Sequence, residues 1–341
     1  MYGLEPTASY HKPLAETLIK CGDNVVQVSG VAVTKNRELL DGRWDKNDDK
    51  DAANVADLIS QGKCQYYDYP PVEMRDLRNL LSLKRMLKKQ EHRMKTRIRN
   101  NLIAQYFPEF DRHFAKGCSE SLAIVKWCLK PREIAFMEYD EFEQLVAPRI
   151  RTVLQAKRLR DIWDDSLLSI GCEAGEAIQF EGKLMVGELE NIKASVKAVD
   201  TRIKEICLGY PEYKCLMSIP GFGPDISSKV LGAIGNPFRF NNGKQVLKLA
   251  GLDLNASRSG KTSDSAIPRI SKRGKAHLRY ALYQAALIAS TSNKYFMLYY
   301  TNQLRGRERE KGIKTKMKVK LAAKLLIIAW SLMKKKELFD P

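Results

Sequence analysis

The sequence predicts a mostly helical α+β protein, and three observations support this prediction. Apolar residues recur at helical spacing over two long segments, 72–107 and 174–208. Residues 24–28 form a β-branched run typical of a buried strand. Residues 217–235 place two glycines between helical patterns. We therefore expect a partial α/β domain (residues 1–68), a helical linker with a coiled-coil arm (69–210) and a helical C-terminal domain (211–341).

The first 68 residues contain too few predicted helices and strands to form a complete domain. The pattern predicts an amphipathic helix over His11–Cys21, the strand at 24–28, a lysine-containing loop over Thr34–Asp45 and a helix over Lys46–Ile59. One strand and two helices cannot close a sheet. The sequence therefore predicts only part of an α/β domain here.

The two long helices carry apolar stripes. The second has a heptad pattern with alternating steps of four and three residues, which is typical of a coiled-coil seam. Its members are Met185, Leu189, Ile192, Val196, Val199, Ile203 and Ile206. Three arrangements fit: an antiparallel pair of the two helices, a dimerising arm, or burial of both stripes in one bundle core. The seam favours a homo-oligomer, either a dimer or a tetramer.

The charge distribution indicates a polyanionic partner. The chain of 341 residues has 58 Lys+Arg against 40 Asp+Glu, a net charge of +18. Residues 1–70 hold 8 basic and 11 acidic residues, so residues 71–341 carry a net +21. The seven cysteines form no Cys-x-x-Cys pair, which argues against a zinc site and favours reduced thiols in the cytoplasm. No signal peptide or membrane-spanning stretch is recognisable, so we expect no membrane partner.

A glycine-containing turn near residue 220 is the first candidate binding element. Gly221 and Gly223 should form a tight turn before a helix that begins at about Asp225. Free N–H groups at the start of a helix bind anions, so the pattern predicts a helix-hairpin-helix that holds a nucleic-acid phosphate. The alternative is an ordinary helical hairpin with a Pro-Gly turn.

A serine-containing loop and a basic run follow this turn. The loop spans residues 255–263, and the run spans residues 269–279. The residues predicted to contact nucleic acid are Gly221, Gly223, Lys261, Arg269, Lys272, Arg273, Lys275 and Arg279. A second basic segment, residues 305–320, is expected to form one wall of the same strand-binding groove.

Two sets of side chains are candidates for chemistry. Asp48 and Asp51 are three residues apart at the start of a helix and face the same way. With Glu5 they can offer oxygen ligands to Mg²⁺, although a helix N-cap explains the two aspartates equally well. Ser259 lies in the loop. A serine hydroxyl is a poor nucleophile unless it is activated, and the same residues also describe a plain surface loop.

Six motifs occur in an order that resembles the transposases of the insertion-sequence family one-ten. The motifs are Leu4–Thr7, Lys46–Ala52, Ile219–Gly223, Leu249–Leu252, Ser259–Gly260 and Ile270–Arg279. The resemblance implies a RuvC-type (RNase H-like) domain with a DEDD metal quartet, a coiled-coil arm and a C-terminal domain with a catalytic serine. It implies that Glu5, Asp48 and Asp51 are three of the four Mg²⁺-binding carboxylates.

The resemblance also implies a mechanism and partners. Ser259 would attack a DNA phosphate to form a phosphoserine intermediate, and a guide (bridge) RNA from the element would direct the recombinase. Two alternatives remain open. One is a non-catalytic remnant that only binds DNA or RNA, and the other is a RuvC-like junction nuclease that does not use Ser259.

The family's first aspartate precedes the glutamate, whereas no aspartate precedes Glu5. We therefore expect a truncated chain that binds nucleic acid but exchanges strands weakly, because three carboxylates hold a hard cation less well than four. A version extended upstream should exchange strands faster. Equal rates for the two versions would contradict this expectation.

Overall fold

The computed structural model describes residues 1–6, 8–41, 48–114, 119–127, 129–149, 152–255 and 269–341. Within these ranges the chain forms two compact units, Met1–Val72 and Glu73–Pro341. Helices make up most of the described residues, and the strands are short. The predicted class, mostly helical α+β, is confirmed. The predicted boundaries at residues 68 and 210 stay predictions.

The first unit is a small sheet with three helices. Its elements are β1 (Tyr2–Leu4), α1 (His11–Lys20), β2 (Val25–Gln27), α2 (Gly30–Asp41), α3 (Asp48–Ser60) and β3 (Gln65–Tyr66). Strand β2 is central, parallel to β1 and antiparallel to β3. Val25 and Val26 are buried, as expected of the β-branched run.

The predicted loop over Thr34–Asp45 is wrong as far as residue 41, because α2 spans Gly30–Asp41. Helix α2 packs against α3 partly through polar side chains, so its sequence lacks the regular apolar spacing that predicts a helix. Val33 is buried, and so is Asn36, whose Nδ2 donates a hydrogen bond to Asp57 Oδ2 at 2.8 Å. A buried amide that is hydrogen-bonded avoids the cost of losing its water.

The first part of the second unit consists of two long helices and the shorter elements that lie between them in the sequence. These are α4 (Val72–Arg97), a π-helical stretch (Ile98–Ile103), α5 (Ala104–Tyr106), a 3₁₀ turn (Pro108–Phe110), α6 (Asp111–Phe114), α7 (Ser119–Trp127), α8 (Pro131–Ala135), α9 (Tyr139–Val146), α10 (Val153–Leu167) and α11 (Glu176–Leu208). Pro108 and Pro131 each lie in the first turn of their element, where the missing N–H has no helical partner to lose.

The C-terminal part of the second unit is also helical. Its elements are α12 (Pro211–Met217), α13 (Pro224–Ile234), a 3₁₀ turn (Pro237–Arg239), α14 (Gly243–Ala250), β4 (Leu254–Asn255), β5 (Arg269–Ile270), α15 (Ala276–Ser292), α16 (Lys294–Leu304) and α17 (Ile313–Lys335). The predicted helix, turn and helix around residue 220 correspond to α12, the turn and α13.

Helices α4 and α11 run antiparallel. In the middle of α4, Lys84 Nζ lies 2.6 Å from Asp200 Oδ1, in the last third of α11. At the end of α4, Arg97 Nη2 lies 3.4 Å from Glu181 Oε1, near the start of α11. Ion pairs that join early residues of one helix to late residues of the other require opposite directions. The antiparallel pair is therefore the arrangement that this chain adopts.

The heptad seam of α11 is divided between two hydrophobic cores of the same chain. Met185 and Leu189 belong to a core with Ile98 and the surrounding short helices. Val199 and Ile203 belong to a second core with the C-terminal helices. These seam residues pack within the chain, so they do not supply a contact between subunits. The homo-oligomer stays a prediction.

In the described part of the chain, no helix combines the length and apolar character needed to cross a bilayer.

Gly221 packs against another helix. It has a φ of +87°, in the left-handed region, and a Cβ there would lie 2.5 Å from the carbonyl oxygen of Ala285 in α15. A side chain at this position is therefore both strained and obstructed. Gly223, two residues later, differs because a Cβ there would meet nothing within 4 Å.

We expect Gly221→Ala to lower the free energy of unfolding by about 2 kcal/mol or more, because strain and overlap add. Gly223→Ala is the matched control and should cost less than about 1 kcal/mol. Urea denaturation followed by circular dichroism measures both. Equal losses for the two variants would contradict the packing role of Gly221.

Candidate catalytic residues and nucleic-acid interface

The predicted metal carboxylates lie at the start and end of secondary elements in the first unit. Glu5 follows β1, and Asp48 and Asp51 lie in the first turn of α3. The Glu5 carboxylate lies against the backbone of α2, since its Oε1 is 2.7 Å from the position of a Cβ on Gly30. Any other residue at position 30 would displace Glu5.

Asp51 is held by an arginine. Arg37, on α2, donates hydrogen bonds to Asp51 Oδ1 from Nε at 3.1 Å and from Nη2, and both side chains are largely buried. Among the residues that the structure describes, no three Asp, Glu, His or Cys side chains come close enough to hold a metal ion. Carboxylate oxygens suit a hard divalent cation, but the observed arrangement gives Asp51 a guanidinium partner.

The predicted nucleophile Ser259 and the predicted contact Lys261 lie outside the described residues. The chain on either side is described. Asn255 in β4 pairs with Arg269 in β5, and Leu254 pairs with Ile270, in an antiparallel arrangement. The residues that precede and follow 256–268 are therefore neighbours in space.

Two glycines fix this strand pair to the helical core. Gly251 ends α14 in the left-handed conformation, with a φ of +65°. Gly274 approaches the same backbone so closely that a Cβ would lie 2.7 Å from the carbonyl oxygen of Leu249. Backbone bonds from Lys272 N to Gly251 O (3.1 Å) and from Lys275 N to Leu249 O (2.8 Å) complete the junction. The motif at 249–252 and the basic run thus form one structural element.

The basic run divides into structural and exposed cations. Arg279 Nη1 donates to the carbonyl of Ala250 at 2.8 Å, and Lys275 Nζ donates to that of Ala233 at 3.3 Å. These carbonyls belong to the last turns of α14 and α13, where a cation is favourable. Lys272 and Arg273 are exposed. Of this run, therefore, Arg279 and Lys275 have a role in the fold itself.

The first turn of α13 carries its own anion. Asp225 Oδ2 accepts a hydrogen bond from Lys229 Nζ at 2.5 Å, and its Oδ1 accepts one from Lys84 Nζ at 2.6 Å. Burial disfavours the Asp225 carboxylate, but the bonds from Lys229 and Lys84 outweigh burial and lower its pKa. A carboxylate already lies at the site where the turn was predicted to hold a phosphate. The phosphate role of Gly221 and Gly223 stays a prediction.

Lys84 joins three helices. Its ammonium on α4 lies 2.6 Å from Asp200 on α11 and 2.6 Å from Asp225 on α13. Burial alone would lower the pKa of Lys84, but its two carboxylate partners raise it. The sequence does not predict this group, because Lys84 lies more than a hundred residues from either partner along the chain. The available signal was the row of cations on the polar faces of α4.

The basic segment 305–320 is largely exposed, in the turn before α17 and in its first turns. Lys314 and Lys316 project from the first turn of the helix, whereas Ile313 and Met317 are buried beneath it. Lysines at the start of a helix oppose its dipole. Their exposure is consistent with the predicted wall of a binding groove, which stays a prediction.

Family profiles match both ends of the chain. Residues 1–108 match the DEDD transposase family of IS110 elements, and residues 213–301 match the family described as "Transposase IS116/IS110/IS902 family". Together they span more than half of the chain. The chain belongs to the IS110/IS116/IS902 transposase family. The first match contains Glu5, Asp48 and Asp51, and the second contains Ser259.

A curated relative agrees with this assignment. The transposase is similar to the "Insertion element IS116 uncharacterized 44.8 kDa protein" of Streptomyces clavuligerus, at 23% identity over 96% of the chain and 81% of the relative. The predicted family is thereby confirmed. A DEDD transposase domain is consistent with use of a divalent metal, and a transposase acts on DNA.

Proposed function

We propose that this transposase cuts and rejoins DNA through the Ser259 hydroxyl, with help from the carboxylates of the first unit. The observation that supports the proposal is the pair of family matches, since the range 1–108 includes the three carboxylates and the range 213–301 includes Ser259. The local structure supports it. Strands β4 and β5 pair on either side of 256–268, and the exposed Lys272 and Arg273 follow directly.

The serine step conserves the number of phosphodiester bonds. Ser259 Oγ forms a bond to a DNA phosphorus, the bond from that phosphorus to the departing strand's oxygen breaks, and the serine proton passes to that oxygen. Attack by the hydroxyl of a second strand reverses the exchange and frees Ser259. Because one ester replaces another at each step, no external energy source is needed. Nearby cations stabilise the negative charge on the phosphoryl oxygens.

The carboxylates have the chemistry to hold Mg²⁺, which would stabilise charge on the reacting phosphate. Glu5, Asp48 and Asp51 would hold the ion, and the observed Arg37–Asp51 pair would compete with it. Exchange of a guanidinium for a dication at Asp51 keeps the carboxylate charge compensated in both states. Arg37 therefore serves as the internal counter-ion of the metal-free protein.

A guide RNA is the second proposed partner. The net charge of +21 on residues 71–341 supports it, because two polyanions require more cations than one. With a guide RNA, base pairing between RNA and DNA would recognise the target sequence, and the protein would bind the sugar-phosphate backbones.

We expect Ser259→Ala to abolish a covalent protein–DNA adduct, because the variant lacks the attacking oxygen. Target DNA, with and without RNA from the element, is incubated with the protein, and the adduct is measured by denaturing electrophoresis. Ser257→Ala, a matched change in the same segment, should leave the adduct unchanged. Adduct from the Ser259 variant would disprove the serine mechanism. Unchanged DNA binding without any adduct from the wild type would favour the non-catalytic remnant.

We expect Asp51→Asn to weaken Mg²⁺ binding at least about tenfold, because it removes a charged oxygen ligand. Arg37→Gln should strengthen binding, because the competing cation is lost. Isothermal titration with Mg²⁺ measures both, and Asp49→Asn on the same helical turn is the control. Wild-type affinity in the Asp51 variant would show that Asp51 is not a ligand.

A further inference from the structure

A groove in the second unit lies between α4, α13 and α15. Its volume is about 600 Å³, and most of its cations come from α4. The basic run at 269–279 contributes Lys275 and His277 to this groove, and most of its other lining residues lie outside the sequence motifs. Among the described residues that line it, none is a carboxylate. Lys84 and Lys229 pair with Asp225, and Lys88 pairs with Glu91, so the positive character of the groove comes from its other cations.

The cations of the groove have two roles. Arg78 Nε donates to Gly232 O at 2.8 Å and Lys275 donates to Ala233 O, so both stabilise the end of α13. Lys89 and Arg93 are exposed, and neither has a carboxylate partner within the described ranges. Burial and the nearby cations Arg85, Lys275 and Lys229 lower the pKa of His277 at the groove edge. This direction is expected in a positive potential.

The groove has an apolar part, which includes Leu81 and Ala233. Gly232 allows α4 to approach α13, since a Cβ there would lie 2.7 Å from Leu81 Cδ1. Tyr280 on α15 is 62% exposed, although it lies in the groove lining. Gln284 Nε2, one turn further along α15, donates to the Tyr280 hydroxyl at 3.0 Å. An exposed aromatic ring beside cations is the arrangement on which bases of single-stranded nucleic acid stack.

We propose that this groove binds an unpaired segment of DNA, with phosphates at Lys89 and Arg93 and a base stacked on Tyr280. The volume is in the range that encloses a small molecule, which matches nucleotides taken one or two at a time and not a duplex. Strand exchange by a transposase exposes such unpaired segments. The inference rests on the proposed function only in taking DNA as the ligand, and it requires no serine chemistry.

The test is the affinity of the full chain for a fluorescein-labelled oligo-dT strand, measured by fluorescence anisotropy. We expect Tyr280→Ala to weaken binding about tenfold and Tyr280→Phe to retain it, because stacking needs only the ring. Lys89→Ala with Arg93→Ala should weaken binding further. The same double variant should reduce the slope of log affinity against log salt by about 1.4, the value for two single-strand phosphate contacts.

The matched control is Lys197→Ala with Lys204→Ala, which removes the same charge from exposed positions of α11. An equal loss of affinity in this control would contradict binding in the groove, since the overall charge of the chain would then explain the binding of DNA. Equal weakening of duplex binding by Tyr280→Ala would also overturn it. A third outcome concerns RNA. If an RNA strand displaces the DNA, and if Tyr280→Ala weakens the binding of RNA but not of DNA, then the groove binds RNA and the DNA assignment is wrong.

Failure of the groove is distinguishable from failure of the serine mechanism. Ser259→Ala should bind oligo-dT like the wild type if the groove acts independently. Normal groove binding without an adduct would reject only the mechanism. An intact adduct with unaltered binding by the Tyr280 and Lys89/Arg93 variants would reject only the groove.

Discussion

The junction of α4, α11 and α13 depends on one ammonium group held between two carboxylates. Lys84 contacts Asp200 and Asp225, and Lys229 contacts Asp225 from the same helix. The carboxylates are nearly half exposed, so solvent screens the attraction and the energy gained is modest. The contribution to geometry is larger. Three helices that meet at one cation fix the groove between α4 and α13, so the position of its floor and rim depends on this junction.

The protonation states keep this junction intact at neutral pH. The pKa of Asp225 is lowered, so its contribution is present above the carboxyl's unfolded value and is lost as the pH falls through the folded value. The pKa of Lys84 is raised, so its contribution is present below the lysine's unfolded value and is lost as the pH rises through the folded value. Both conditions hold across the neutral range. The contact between Lys84 and Asp225 therefore persists across that range.

Sequence patterns identified the elements that repeat regularly and missed those that depend on tertiary contact. The apolar stripes of α4 and α11 gave both helices, and the β-branched run gave β2. The prediction failed at α2, where Asn36 contacts α3 through polar atoms that carry no periodic apolar signal. The groove was missed because its side chains come from three helices far apart in sequence. The order of the motifs predicts that Ser259 and the three carboxylates are functional residues. No regular spacing of residues along the chain predicts the contact between Arg37 and Asp51.

The glycines of the motifs show that the type of a residue does not by itself define its structural role. Gly221 and Gly223 share one motif, yet the first excludes a side chain because α15 is adjacent and the second faces open space. Gly251 and Gly274 belong to different motifs, yet they meet in one backbone junction. The same division holds for the cations. Arg279 and Lys275 donate to carbonyls at helix ends, which leaves Lys272, Arg273, Lys89 and Arg93 exposed for a polyanion. Part of the chain's positive charge thus stabilises the fold, and we propose that these four exposed cations contact DNA.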